Sequence, residues 1–221
     1  MARELFDEQL ARLDTELLKM GALVEHVLAG ATRALESGDT SQALELIESD
    51  NEIDQKERDI ETLCLNLLLR QQPVARDLRR ISAALKMITD IERIGDQAAD
   101  ICKIVLNMEY STAEALLRVR HLLELGRAAS SQVSASIDAF VAHDLERAQT
   151  VIANDDTVNS LFRVVKGELF AWMRSAEETQ AVTIDLLLIA KYFERIGDHA
   201  QNIAEWVEYS ITGIHKGALI T

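Results

Sequence analysis

The sequence predicts an all-α protein: two tandem, similar three-helix bundles, six long helices arising from an internal duplication. Three observations predict it. Across 221 residues there are only 9 Gly and 1 Pro, and no Asn-Gly or Asp-Gly dipeptide, which leaves little to build tight strand turns. Hydrophobic residues make up 48%, enough for a sizeable core. Finally, Glu92-Arg93-Ile94-Gly95-Asp96 recurs letter for letter as Glu194-Arg195-Ile196-Gly197-Asp198.

The first helix is expected from about Arg3 to Leu35 and ends at Gly38, a residue suited to the left-handed position after a helix. Asp39 is expected to cap the second helix, with Gln42 as its capping-box partner, and that helix reaches about Arg70. Pro73 is placed in the first turn of the third helix, where its missing N–H costs nothing; that helix runs to about Met108 on a stripe of Leu78, Ile81, Leu85, Ile88, Ile91, Ile94, Ala98, Ile101 and Val105. A break at Tyr110-Ser111-Thr112 precedes the fourth helix, and Asp144 caps the fifth, which reaches about Arg174. The sixth is expected from about Glu178 to Tyr209. The caps Asp39 and Asp144, and the pairs Ala34/Ala139 and Ile47/Ile152, are separated by 105 residues; the pentapeptides are separated by 102. A period near 100 is the size of a three-helix bundle, so the halves are drawn at 1–109 and 110–221.

Net charge is -14, a surface that repels nucleic-acid phosphate and favours cations and basic partner surfaces. No signal peptide is read at the N-terminus, and no apolar run suffices to span a bilayer, so a cytoplasmic protein with no direct membrane insertion is expected. Cys64 and Cys102 form no CxxC pair and read as core residues.

The acidic positions are unusual. Glu92, Asp96 and Asp100 form a ladder at i, i+4 and i+8 along the edge of the third helix's packing face, where like charges repel. The sixth helix repeats it as Glu194, Asp198 and Asn202, and each ladder contains a glycine, Gly95 or Gly197, inside the helix. On the second helix Asp50 and Asp54 make another such pair; Asp155 and Asn159 hold the corresponding places on the fifth. Antiparallel folding about the Arg70–Pro73 turn brings Asp54 and Glu92 to similar heights, clustering carboxylates at one level in each half. Oxygen-only ligand sets suit hard cations such as Mg²⁺, Ca²⁺ or Mn²⁺, and carboxylate-bridged iron. The competing reading pairs these acids with Arg58, Arg93 and Arg195 on a solvated face.

The doubled Glu-Arg-Ile-Gly-Asp, with Gln72-Pro73-Val74-Ala75-Arg76-Asp77-Leu78-Arg79 ahead of the first copy, resembles the PhoU family of phosphate-signalling proteins over essentially the whole chain. The resemblance implies two tandem bundles and metal clusters on E(D)xxxD pairs. By position the ligands are Asp50, Asp54, Glu92 and Asp96 in the first half and Asp155, Glu194 and Asp198 in the second. The ions implied are divalent or trivalent: iron, zinc, magnesium, manganese or calcium. It further implies a non-enzymatic negative regulator linking a phosphate ABC transporter, through its ATPase, to a sensor histidine kinase. Such a regulator is a homodimer, cytoplasmic or peripheral at the inner face of the membrane through its partners. The alternative is a carboxylate-rich metal buffer or scaffold without signalling partners. A di-iron oxidase is disfavoured, because no Glu lies three residues before any of His26, His121, His143, His199 or His215.

Overall fold

The computed structural model describes residues 2–71, 73–108, 111–175 and 180–219, with the side chains of residues 2, 3, 70, 71, 155 and 180 excepted. Helix α1 (Ala2–Ser37) buries Leu10, Leu13, Leu17, Met20, Val24, Leu28, Ala31 and Leu35, a single apolar stripe at three- and four-residue spacing. Gly38 ends it at φ +69, as expected, but Asp39 does not cap the next helix. Its carboxylate accepts from the Ser41 amide at 2.9 Å in a local turn, so α2 (Ala43–Glu48) starts after Gln42 with no side-chain cap and no capping box.

The expected second and fifth helices are each broken in two at the same place. Ser49 separates α2 from α3 (Asp50–Gln71), and Asn154 separates α7 (Leu145–Ala153) from α8 (Asp155–Ser175). The Ser49 hydroxyl donates back to the Glu45 carbonyl at 2.9 Å, a bond that competes with regular helix and bends it. Each break sets the following aspartate, Asp50 or Asp155, at the start of a helix, where the macrodipole favours an anion.

Helix α4 (Ala75–Asn107) begins later than expected: Val74 is its extended N-cap residue, so Pro73 lies outside the first turn. Leu78 is 44% exposed and drops out of the stripe, which starts at Ile81. The fourth rod is also interrupted, as α5 (Thr112–Arg118) and α6 (Leu122–Ala142). Glu168 braces that break by accepting from the His121 amide at 3.3 Å and lying 2.7 Å from its Nδ1. Asp144 caps α7 as expected, accepting from the Arg147 amide at 3.0 Å, after His143 turns left-handed at φ 51. Tyr110 and Glu178 lie outside the described residues; α9 is described over Gln180–Thr212. Beyond it lies an element the sequence reading lacks, a hairpin of β1 (Ile214–His215) and β2 (Ala218–Leu219) with His215 stacked on Trp206.

Helices α1 to α4 form one bundle and α6 to α9 its counterpart. The two are joined along a seam where α4 packs on α9 and α1 on α6, and one apolar cluster runs through both. The α4–α9 contact is the most extensive helix pair among the described residues. Cys64 and Cys102 are buried and free, within the core. No helix among the described residues is long and apolar enough to cross a membrane.

Candidate metal centre

Two close approaches determine where the acids sit. A Cβ on Gly95 would stand 2.8 Å from Ile53 Cδ1 and 3.7 Å from Asp50 Oδ1; α3 therefore lies against α4 at the one residue that has no side chain. In the second half a Cβ on Gly197 would stand 2.9 Å from Val158 Cγ1, the counterpart of Ile53.

In the first half the approach brings Asp50 and Asp54 of α3 onto Asp96 of α4. Each offers a carboxylate oxygen within 4.8 Å of the other two, and all three are partly buried. Glu92 lies one turn before Asp96 on the same helix. Burial, and then the charge of Asp96, push its carboxyl up to about 7. Burial first, then Asp96 and Asp54, also raise Asp50. Asp50 Oδ1 and Glu92 Oε2 are buried without a hydrogen-bond partner. The neighbouring arginines compensate little. Arg93 donates to Asp96 at 2.9 Å and its Nε lies 3.4 Å from Glu92, but it is 53% exposed; Arg58 is 3.8 Å from Asp54 and also exposed. Asp100, the third rung, is paired with Lys103 at 2.8 Å. Crowded acids, a buried Asp50 oxygen without a hydrogen-bond partner and oxygen-only donors fit a hard cation.

The second half is built otherwise. Glu194 is paired with Lys191, whose ammonium also lies over the Phe162 ring at 5.5 Å. Asp198 is exposed, one residue after Gly197, and the side chain of Asp155 lies outside the described residues. Asn202 donates to Asp90 at 3.2 Å across the seam, and His199 Nδ1 meets the same oxygen at 2.8 Å, a satisfied polar contact. Among the described residues, the acids of this half do not form a three-carboxylate group like that of the first. Sequence reasoning missed Gln132 of α6, which is 8% exposed with Oε1 unpartnered. The signal lay in the repeat, since its counterpart is Val27.

Comparison with known proteins gives concordant results. The PhoU domain model matches residues 17–105 and 122–207. The phosphate-specific transport system accessory protein PhoU homolog of Clostridium acetobutylicum is 35% identical over 214 residues, covering 96% of this chain and 97% of that one. The homolog of Pseudomonas aeruginosa is 34% identical, covering 94% and 86%. The crystal structure of PhoU from Pseudomonas aeruginosa superposes with a TM-score of 0.85 at 32% identity, over 95% of this chain and 100% of that one. The phosphate transport system regulatory protein PhoU from Streptococcus pneumoniae superposes with a TM-score of 0.86 at 29% identity, over 98% and 99%.

Proposed function

The chain belongs to the PhoU family, and from that premise we propose that it is a cytoplasmic, non-enzymatic regulator of phosphate uptake and phosphate-starvation signalling. In this reading it links the phosphate ABC transporter's ATPase to the sensor histidine kinase, holds the starvation response off when phosphate is plentiful, and acts as a homodimer peripheral to the inner face of the membrane. The observation that carries the reading is near end-to-end similarity to relatives named as accessory proteins of a phosphate-specific transport system. The division at 109/110 into two repeats is part of the proposal; the boundary itself lies at residues outside the described ones.

The regulator is proposed to bind metal. Asp50, Asp54, Glu92 and Asp96 would hold an ion in the first half, and Asp155, Glu194 and Asp198 one in the second. A bound cation would neutralise the crowded carboxylates and tie α3 to α4. What supports this is the set of three aspartates, one of whose buried oxygens, Asp50 Oδ1, has no hydrogen-bond partner. Magnesium, manganese, calcium, iron and zinc remain the candidate ions.

The regulatory reading is tested by alkaline phosphatase activity in a strain deleted for this gene and grown with ample phosphate. High activity, reversed by the wild-type gene, is expected; activity that stays low rejects the role. The metal reading is tested by elemental analysis of the Glu92→Ala/Glu194→Ala double variant, in which bound metal should fall. Unchanged stoichiometry rejects the assignment of these ligands.

A further inference from the structure

The repeat places His143 where the first half has Gly38, 105 residues earlier. Both turn left-handed, Gly38 at φ +69 and His143 at φ 51. Glycine holds that conformation at no steric cost, whereas a residue with a Cβ is strained there. A strained residue kept in place points to a use for its side chain. His143 lines a cavity of about 370 Å³ on the seam between the halves. The first half contributes Asp7 of α1 and Arg76, Asp77 and Arg80 of α4, and α9 of the second half contributes Ser210.

The unused bonding capacity of this cavity is that of donors. Arg76 is exposed and forms no hydrogen bond or ion pair with a described residue. Arg80 gives one end of its fork to Asp14, and its Nε is buried without a hydrogen-bond partner. The acids of the lining, Asp7 and Asp77, each already have a partner. They do not make a cation site: among the described residues, three metal-ligating side chains converge only at Asp50, Asp54 and Asp96. At His143 the positive groups prevail. Burial lowers its pKa first, Arg80 lowers it further by more than Asp14 raises it, and Arg76 adds to the depression. Helix α4 also starts here, with no side-chain cap on Val74, so the positive end of a 33-residue helix lies at the same place.

We propose that this cavity binds a phosphoryl oxyanion, free or carried on a small molecule, with Arg76, Arg80 and His143 as its donors. Guanidinium forks match the oxygens of a phosphoryl group two at a time, and a charged acceptor makes those bonds strong. Arg76 and Arg80 lie one turn apart on α4 and His143 comes from the other half, so a bound anion would tie the halves together at the seam. The cavity is larger than one phosphate group, which leaves room for a small organic remainder. The site shares no residue with the carboxylate clusters and stands or falls independently of the metal reading.

The test is equilibrium dialysis of the full chain against labelled inorganic phosphate and, separately, labelled glycerol phosphate, each with and without chelator. Wild type is compared with Arg76→Gln, His143→Gly and Arg120→Gln, the last an exposed arginine elsewhere whose loss changes the net charge equally. Wild type should bind at least one of the two probes saturably. Arg76→Gln should weaken that binding by about tenfold or more, as loss of a charged hydrogen bond does. His143→Gly carries the first half's own residue at that turn, so it should fold and bind severalfold more weakly. Arg120→Gln should match wild type. Tighter binding of phosphate marks the free ion as the ligand, and tighter binding of glycerol phosphate marks a carried phosphoryl group; either supports the site. The proposal is overturned by the absence of saturable binding, by wild-type binding in Arg76→Gln or His143→Gly, or by an equal loss in Arg120→Gln. Binding abolished by the chelator would put the phosphate on a metal ion and overturn it as well.

Discussion

In the first half three aspartates share oxygens within 4.8 Å, facing arginines that are mostly in solvent. In the second, asparagines stand at two of the matching rungs, Glu194 is tied to Lys191, and the hairpin returns Lys216 to within 3.1 Å of Glu205 and 3.4 Å of Asn202. The backbone plan is the same in both. Each rod breaks one residue before its first aspartate, and each α3-like helix presses a β-branched residue onto a glycine, Ile53 on Gly95 and Val158 on Gly197. The contrast teaches that duplication kept what packing requires and let the charge diverge. The glycines belong to the scaffold, whereas the carboxylates belong to what the scaffold carries.

The largest effect should come from attacking what the halves share. Gly95→Leu places a side chain where Ile53 Cδ1 already stands 2.8 Å from the Cβ position, and it should destabilise the protein by about 3 kcal/mol or more. Gly197→Leu should do the same against Val158, while Gly95→Ala should be largely relieved by Ile53→Val. A wild-type melting temperature for either leucine variant would reject the shared packing plan.

Next comes the seam that makes the halves one body. Asp90 of α4 receives Asn202 at 3.2 Å and lies 2.8 Å from His199, all partly buried. Asp90→Ala strands both partners and should cost about 2 kcal/mol. Denaturant unfolding that matches wild type in midpoint and slope would show that apolar packing alone joins the bundles.

A third effect separates the halves by charge, in chelator-treated protein. Glu92 has its carboxyl raised to about 7 from an ordinary 4.5, by burial first and Asp96 second. Between those values the native state holds a proton that the unfolded chain has lost, so stability should fall as pH rises from about 4.5 to 7. Glu92→Gln should flatten that slope. Equal slopes in wild type and Glu92→Gln would show that the first cluster carries no such strain.

Most of the architecture was legible because it rests on periodicity and on a repeat: the apolar stripes, the turn at Gly38, the cap at Asp144 and the paired glycines are all local patterns. The breaks at Ser49 and Asn154 were not: neither carries a Gly or Pro to mark it, and at Ser49 the hydroxyl that bonds back to the Glu45 carbonyl leaves the sequence reading as one continuous helix. At the site, the clustering of Asp50, Asp54 and Asp96 followed from antiparallel folding of α3 on α4. Gln132 escaped notice because an uncharged amide gives no charge signal and its burial depends on α6 packing across to Gly197 of α9. The hairpin escaped because two-residue strands show no alternation to read.

The smallest predicted effect sharpens the comparison at a single atom. Asp39 and Asp144 occupy matching places in the repeat, and on sequence both should cap a helix. Asp144 does so, accepting from the Arg147 amide three residues on at 3.0 Å, an otherwise unpaired donor in the first turn of α7. Asp39 accepts from Ser41 within the turn, and α2 begins only at Ala43, beyond its reach. Asp144→Ala should therefore cost about 1 kcal/mol, while Asp39→Ala, which removes no helix cap, should cost measurably less. The Asp39 carboxyl is held below its ordinary value by its bonds to Ser41, so its small contribution is present above that value and lost as pH falls further. Measured by thermal unfolding at neutral pH, equal losses in the two variants would mean that α2 is capped in solution as α7 is, and that the halves are more alike at their turns than at their charges.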